Sequence, residues 1–82
     1  MSRIVYVNGA YVPEEEAMVS VFDRGFLFAD GIYEVTAVVD GKICEWEGHI
    51  GRLERSLGEI GMAMPMSADE LLEVHREIVK RN

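Results

Sequence analysis

The sequence DRGFLFADGIYEVTAVV, at residues 23–39, determines most of the predicted fold. It begins with a polar corner at 23–25, and a mostly apolar connection leads to a second corner at 30–31. The run that follows, 32–39, is rich in β-branched residues and has the composition of a strand. Residues 32–39 are therefore predicted to form a strand that begins directly after an Asp-Gly corner. We call it the decisive strand.

Residues 32–39 alternate between two faces of the predicted strand, because successive side chains of a strand point in opposite directions. Tyr33 and Val35 fall on one face, and Glu34 and Thr36 fall on the other. Apolar residues occur on both faces, which predicts burial on both sides. An apolar strand with a tyrosine hydroxyl after a corner is typical of a pocket lip, and equally of an ordinary central strand.

Turn signals on either side of this strand predict two antiparallel hairpins. Asn-Gly at 8–9 joins a short β-rich run at 4–7 to a return strand at 11–12. Asp-Gly at 40–41 joins the decisive strand to a return strand at 42–46. The first half of the chain is therefore predicted to be β structure.

The second half shows helical periodicity. A first amphipathic helix is predicted over 47–61 and ends at Gly61, with an apolar stripe formed by Ile50, Leu53, Leu57 and Ile60. Ser67 and Glu70 form a capping box that begins a second helix, which runs to the end of the chain. The predicted fold is α+β: an antiparallel sheet of two hairpins with two packed helices, all within one domain.

The composition narrows the classes of partner. The 82 residues carry a formal net charge of −7, which disfavours nucleic acid and anionic membrane surfaces as partners. The single cysteine cannot form an intrachain disulfide, and the sequence shows neither a signal peptide nor an apolar run long enough to span a membrane. We therefore expect a cytoplasmic protein.

Two side chains are candidates for binding a small molecule. Arg52 and His49 lie three residues apart at the edge of the apolar stripe, and a guanidinium in that position can bind a phosphate through its planar fork of donors. The alternative interpretation, favoured by spacing alone, is a surface arginine paired with a carboxylate. Tyr33 can offer its hydroxyl to a substrate, although pattern alone favours a tyrosine that packs across the strand.

Other reactive side chains fit structural roles better. His75 falls within the apolar stripe of the second helix, which indicates a partly buried structural histidine, and Cys44 is typical of a small strand hydrophobe. No cluster has metal-ligand spacing, so we expect no metal. The only two lysines, Lys42 and Lys80, follow a turn and end a helix, and neither has the surroundings of a desolvated nucleophile.

The sequence resembles the fold-type IV pyridoxal-phosphate enzymes: the D-amino-acid and branched-chain aminotransferases and aminodeoxychorismate lyase. The residues that carry the resemblance are VNG at 7–9, DRGFLFADGIYEV at 23–35, DGK at 40–42 and HIGRLERS at 49–56. They keep their order and spacing over nearly the full chain. The YEV triplet at 33–35 is most similar to the D-amino-acid aminotransferase branch.

The resemblance implies roles for three residues. Arg52 would bind the phosphate of pyridoxal 5′-phosphate, Tyr33 would help to hold the substrate carboxylate, and Val35 would line the pocket beside it. Ala29 stands where the family often has glycine, and Gly51 where many members have aspartate. Neither departure removes an implied cofactor contact.

The resemblance also implies that 1–82 is only the amino-terminal small domain. Family members are several times longer, and the lysine that carries the cofactor, the carboxylate facing its pyridine nitrogen and a second phosphate-binding loop lie farther along their chains. We therefore expect no catalytic residue in this chain, no transamination by it alone, and apolar surface exposed toward the missing domain.

For the complete protein, the expected function is transfer of an amino group between a D-amino acid and a 2-oxo acid by a homodimer. A branched-chain aminotransferase domain, an aminodeoxychorismate lyase domain and a non-catalytic interaction module stay open as alternatives.

Overall fold

The first hairpin forms where the turn signal predicted it. In a computed structural model that describes residues 2–82, β1 (Ile4–Val7) pairs antiparallel with β2 (Ala10–Pro13). The turn residues Asn8 and Gly9 have φ angles of 49° and 86°, as a type I′ turn requires at both central positions. The twist of this turn matches that of the flanking strands, so the turn sets the register.

The polar corner at 23–25 starts a short helix. The Asp23 carboxylate accepts a hydrogen bond from the Gly25 backbone N–H at 2.9 Å and caps α1 (Arg24–Phe28). The Arg24 guanidinium then reaches the Asp30 carboxylate at 2.7 Å, which joins the two corners. The Asp23 side chain thus fixes the polar corner to the backbone of α1.

The decisive strand is shorter than the sequence predicts. Only β3 (Val38–Val39) pairs, with β4 (Lys42–Ile43), instead of the predicted 32–39 and 42–46. The reason is that α2 begins at Trp46, directly after Glu45 at φ 57°, so the return strand ends before it can pair with residues 32–36. One further bond, from the Cys44 N–H to the Ala37 carbonyl at 2.9 Å, continues the ladder by a single step.

Residues 32–37 nevertheless keep the two faces of a strand. Ile32, Glu34 and Thr36 are half-buried toward the helices, while the residues between them are exposed. The predicted alternation is confirmed. The prediction of burial on both sides is wrong for this chain, since no described residue covers the face that carries Tyr33 and Val35.

The two helices form with the predicted caps. Helix α2 (Trp46–Glu59) ends in a Schellman motif, in which the Met62 N–H donates to the Leu57 carbonyl at 2.9 Å and the Gly61 N–H to the Gly58 carbonyl at 3.2 Å. Helix α3 (Ala68–Arg81) begins at the Ser67–Glu70 capping box, whose two reciprocal bonds are both made.

The end of α3 is fastened to the first hairpin. The Asn82 side chain accepts from the Ile4 N–H and donates to the Ile4 carbonyl, each at 2.9 Å, as a neighbouring strand would. The Arg81 guanidinium lies 4.3 Å from the centroid of the Tyr11 ring, a cation–π contact. We call these contacts of Arg81 and Asn82 the α3 clasp.

The core of the described chain is thin. Leu57 alone falls below a tenth exposed within residues 2–82. The radius of gyration is 13.7 Å, whereas a compact domain of this length is expected near ~12 Å. Residues 18–39, which we call the open segment, expose many large apolar side chains: Met18, Val19, Val21, Phe22, Phe26, Leu27, Phe28, Tyr33, Val35, Val38 and Val39. The apolar surface expected from the sequence is therefore present.

Candidate functional site

The structure brings three charged or titratable side chains together between the open segment and α2. The Glu34 carboxylate oxygen Oε1 lies 2.8 Å from His49 Nδ1 and 3.2 Å from both Nε and Nη2 of Arg52. Arg52 Nη2 is also 2.6 Å from His49 Nδ1. We call Glu34, His49 and Arg52 the arginine cluster.

Each member of the cluster reaches it for a reason visible in the local structure. His49 and Arg52 lie one turn apart on α2 and therefore face the same direction, as their spacing predicts. Strand-like alternation turns Glu34 toward that helix. The side chains of Glu34 and His49 are 21% and 14% exposed, whereas that of Arg52 is 51% exposed. Glu34 and His49 are therefore largely buried, and the Arg52 guanidinium is accessible to solvent.

The Glu34 carboxylate is held in its charged form. The hydrogen bond from His49, and after it the hydrogen bond from Arg52, lower the pKa of Glu34 below its ordinary value. With its proton on Nδ1, His49 donates to Glu34, and with its proton on Nε2 it accepts from Arg52. Arg52 Nε keeps its bond to Glu34 with either tautomer.

Tyr33 and Val35 lie on the opposite face of the segment from Glu34. They are 84% and 73% exposed, and no hydrogen bond joins Tyr33 to Arg52 within residues 2–82. The structure thus separates the predicted substrate residues from the predicted phosphate residue by the thickness of one extended backbone. Any pocket that uses both groups needs walls in addition to those of this chain.

The remaining candidates have structural surroundings. His75 Nδ1 lies 2.8 Å from the Leu71 carbonyl, and its ring packs edge-to-face against Trp46 with centroids 4.8 Å apart, so the prediction of a partly buried structural histidine is confirmed. Cys44 is half-buried and free.

In the part of the chain that the structure describes, no three metal-ligating side chains come together. Among those same residues, no helix is both long and apolar enough to cross a bilayer.

Glu34 is the member of the cluster that sequence reasoning missed as a site residue. The signal was available, because alternation places it on the face opposite Tyr33, where helices pack in an α+β fold. What the sequence lacked was the position of α2 relative to that face. The alternative interpretation of Arg52, an arginine paired with a carboxylate, describes its contact with Glu34.

The fold agrees with comparisons to known proteins. Residues 31–82 match the family model described as amino-transferase class IV. The chain is 44% identical over 78 residues to a D-alanine aminotransferase of Staphylococcus epidermidis, an alignment that covers 95% of this chain and 28% of that protein. D-alanine aminotransferases of Staphylococcus aureus and Listeria monocytogenes are 42% and 40% identical over the same length, with 28% and 27% of their chains covered.

Two hairpins and two helices are thus the α+β arrangement expected for this class of protein. The chain belongs to the class IV aminotransferase family. It spans less than a third of the length of the curated relatives that it matches.

Proposed function

We propose that residues 1–82 are the amino-terminal small domain of a pyridoxal-phosphate-dependent D-amino-acid aminotransferase. The whole protein would exchange an amino group between a D-amino acid such as D-alanine and a 2-oxo acid. The observation that carries the proposal is the identity of 40–44% to proteins named D-alanine aminotransferase over almost the entire chain. The arginine cluster supports it with a suitable binding group.

Arg52 fits the phosphate of pyridoxal 5′-phosphate. Its guanidinium is bonded to Glu34 along the Nε edge, and Nη1 has no partner among residues 2–82. A guanidinium fixed along one edge offers the other edge to two phosphate oxygens, the geometry that such forks favour. When bound, the cofactor supplies the electron sink of the reaction.

Tyr33 and Val35 would act on the substrate side. The exposed Tyr33 hydroxyl can donate a hydrogen bond to a substrate carboxylate, and Val35 on the same face can exclude water beside it. Neither of these roles requires a proton transfer at the reacting carbon. Lys42 and Lys80 are the only lysines of this chain, and both are exposed at the ends of elements. We therefore assign this domain binding roles and propose that it is inactive alone.

The open segment is proposed to meet the rest of the enzyme and a second subunit. Its exposed phenylalanines would be costly to leave in water, and surfaces of this kind mark contacts between proteins. A homodimer with its pocket near the subunit boundary covers such a surface. Sedimentation of the complete enzyme with Phe22→Ser tests this: a shift toward monomer supports the contact, and an unchanged dimer argues against it. We place the enzyme in the cytoplasm, because the single cysteine of residues 1–82 is typical of a reducing compartment.

A chimeric enzyme tests the function. Residues 1–82 replace the matching segment of the Staphylococcus epidermidis D-alanine aminotransferase, and amino transfer is assayed with D-alanine, L-leucine and aminodeoxychorismate. We expect activity with D-alanine and a 2-oxo acid. Preference for L-leucine would favour the branched-chain alternative, and turnover of aminodeoxychorismate would favour the lyase. A folded chimera with no activity on any of the three would favour the interaction module.

Site variants of the chimera test the assigned roles. Arg52→Ala should weaken the binding of cofactor, while Tyr33→Phe should raise KM for the amino acid with a smaller effect on cofactor binding. Arg55→Ala is the matched control, because it removes an exposed guanidinium from the same helix. Equal effects of the Arg52 and Arg55 changes would refute the phosphate role.

A further inference from the structure

The contacts of Arg52 fix which part of its guanidinium is available. Glu34 Oε1 takes the Nε–H and approaches Nη2, both at 3.2 Å, and His49 takes the near side of Nη2 at 2.6 Å. These partners occupy one edge and leave Nη1 and the far side of Nη2 toward solvent. The free edge is therefore set by the two partners as well as by the rotamers of arginine.

The cavity that lies between Glu34 and His49 is too small for a phosphate. A cavity of about 30 Å³ beside Glu34 and His49 is walled by side chains of α2 and α3, among them Ile50, Leu53 and Leu71. A space of that size holds roughly one water molecule and no phosphate. Arg52 lines neither this cavity nor the wider one of about 520 Å³ beside Glu34 and α3, so an anion meets its half-exposed guanidinium from the solvent side.

Glu34 also belongs to the backbone that carries the proposed substrate residues. Tyr33 and Val35 are its immediate neighbours, and residues 32–36 make no backbone hydrogen bond to a neighbouring strand within residues 2–82. The contacts of Glu34 with His49 and Arg52 therefore tie this part of the open segment to α2 by charge-assisted bonds.

We propose that Glu34 is a positioning residue with two tasks: it orients Arg52 for the cofactor phosphate, and it couples Arg52 to the backbone that presents Tyr33. The proposal rests on the proposed function, because it takes Arg52 as the phosphate ligand. It assigns to Glu34 no contact with cofactor or substrate.

Two variants of Glu34 distinguish the effect of its negative charge from its effect on the orientation of Arg52. Glu34→Gln keeps the length of the side chain and an oxygen that accepts from Arg52 Nε, but it removes the negative charge. Glu34→Asp keeps the charge and shortens the reach by one methylene. The control is Glu54→Gln, which removes an exposed carboxylate from α2, the helix that carries Arg52. The dispersion of amide signals in NMR spectra confirms that each variant is folded.

The experiment is an NMR titration of the 82-residue chain with inorganic phosphate, followed at the Arg52 Nε–H and at the amides of Tyr33 and Val35. For the native chain we expect an ordered Nε–H signal and phosphate-dependent shifts at all three positions. Glu34→Asp should weaken phosphate binding by about fivefold, the loss expected for one hydrogen bond, and should abolish the shifts at Tyr33 and Val35. Glu34→Gln should bind phosphate as tightly as the native chain or more tightly.

The pattern across variants decides the outcome. If Glu34 acts only as a competing negative charge, Glu34→Gln binds more tightly and Glu34→Asp is unchanged, which overturns the proposal. If neither variant alters binding while Arg52→Ala abolishes it, Glu34 has no positioning role although the phosphate role of Arg52 survives. If phosphate causes no NMR shift in the native chain that depends on Arg52, then Arg52 is not the phosphate ligand. The positioning role of Glu34 is then also refuted.

Discussion

Tyr11 and Tyr33 are both strand-type tyrosines, yet their surroundings differ. Tyr11 lies under the Arg81 guanidinium and packs edge-to-face on Tyr6 with centroids 4.9 Å apart. Tyr33 is 84% exposed. The first belongs to a region that the chain closes for itself, made of the first hairpin, α2 and α3. The second belongs to the open segment.

The apolar residues of this chain therefore fall into two groups: those that stabilise its own fold and those that stay exposed. In the closed region, apolar side chains meet one another and stabilise the fold by leaving water. In the open segment, side chains of the same type remain in water, where they add nothing to the stability of the isolated chain. Under the proposed function, the rest of the enzyme would cover that surface.

Truncation of one large apolar side chain in each region is expected to give the largest difference in unfolding free energy between them. Leu57→Ala should lower the free energy of unfolding by about 2–4 kcal/mol, because it leaves a cavity at the most buried position. Phe26→Ala should change it by less than about 0.5 kcal/mol, since the ring is already exposed. Chemical denaturation of both variants measures this, and equal losses would show that the open segment is packed in solution.

A smaller effect is expected at the α3 clasp. Asn82→Ala removes both bonds to Ile4 and should cost about 1–2 kcal/mol in unfolding free energy, with faster exchange of the Ile4 amide. Asn82→Asp keeps the acceptor for the Ile4 N–H and loses the donor, so its cost should be intermediate. An Ile4 amide that exchanges at the native rate in Asn82→Ala would mean that the clasp does not close the hairpin.

Acid should loosen the open segment through Glu34. The pKa of Glu34 is lowered in the folded chain, first by His49 and then by Arg52. Its contribution to stability is therefore complete above the ordinary carboxyl pKa near ~4.3 and is lost as the pH falls through the lowered value. Proteolysis by pepsin at falling pH should cut residues 18–39 before α3.

Glu34→Gln is the matched variant for that experiment. It has no charge to lose, so cleavage of residues 18–39 should already be faster above pH 5 and should then depend less on pH. Glu77→Gln provides the comparison in the closed region, because the pKa of Glu77 is lowered by its hydrogen bond from Arg81 in α3. If Glu77→Gln, and not Glu34→Gln, removes the pH dependence at residues 18–39, the link through Glu34 is wrong.

Local sequence signals predicted most of the fold. The two turns, the Ser67 capping box and the end of α2 at Gly61 depend on neighbouring residues alone, and each formed where predicted. Such features are readable because their hydrogen bonds close within a few positions of the chain.

The errors concern contacts between distant parts of the chain. The decisive strand was overextended because its composition does not reveal that the partner strand ends at Ile43 and that α2 begins at Trp46. Burial on both faces was predicted from composition alone, although this chain covers one face only. Glu34 was missed because its pairing with His49 and Arg52 spans 15 and 18 positions, and depends on how α2 packs.

Equilibrium dialysis of pyridoxal 5′-phosphate against the chimeric enzyme measures whether Arg52 holds the phosphate of the cofactor. Arg52→Ala should weaken cofactor binding by at least about tenfold, the loss expected for hydrogen bonds to a charged group, while Arg55→Ala leaves it unchanged. Pyridoxal, which lacks the phosphate, should bind equally to all three proteins. Unchanged affinity of Arg52→Ala for pyridoxal 5′-phosphate would contradict the account.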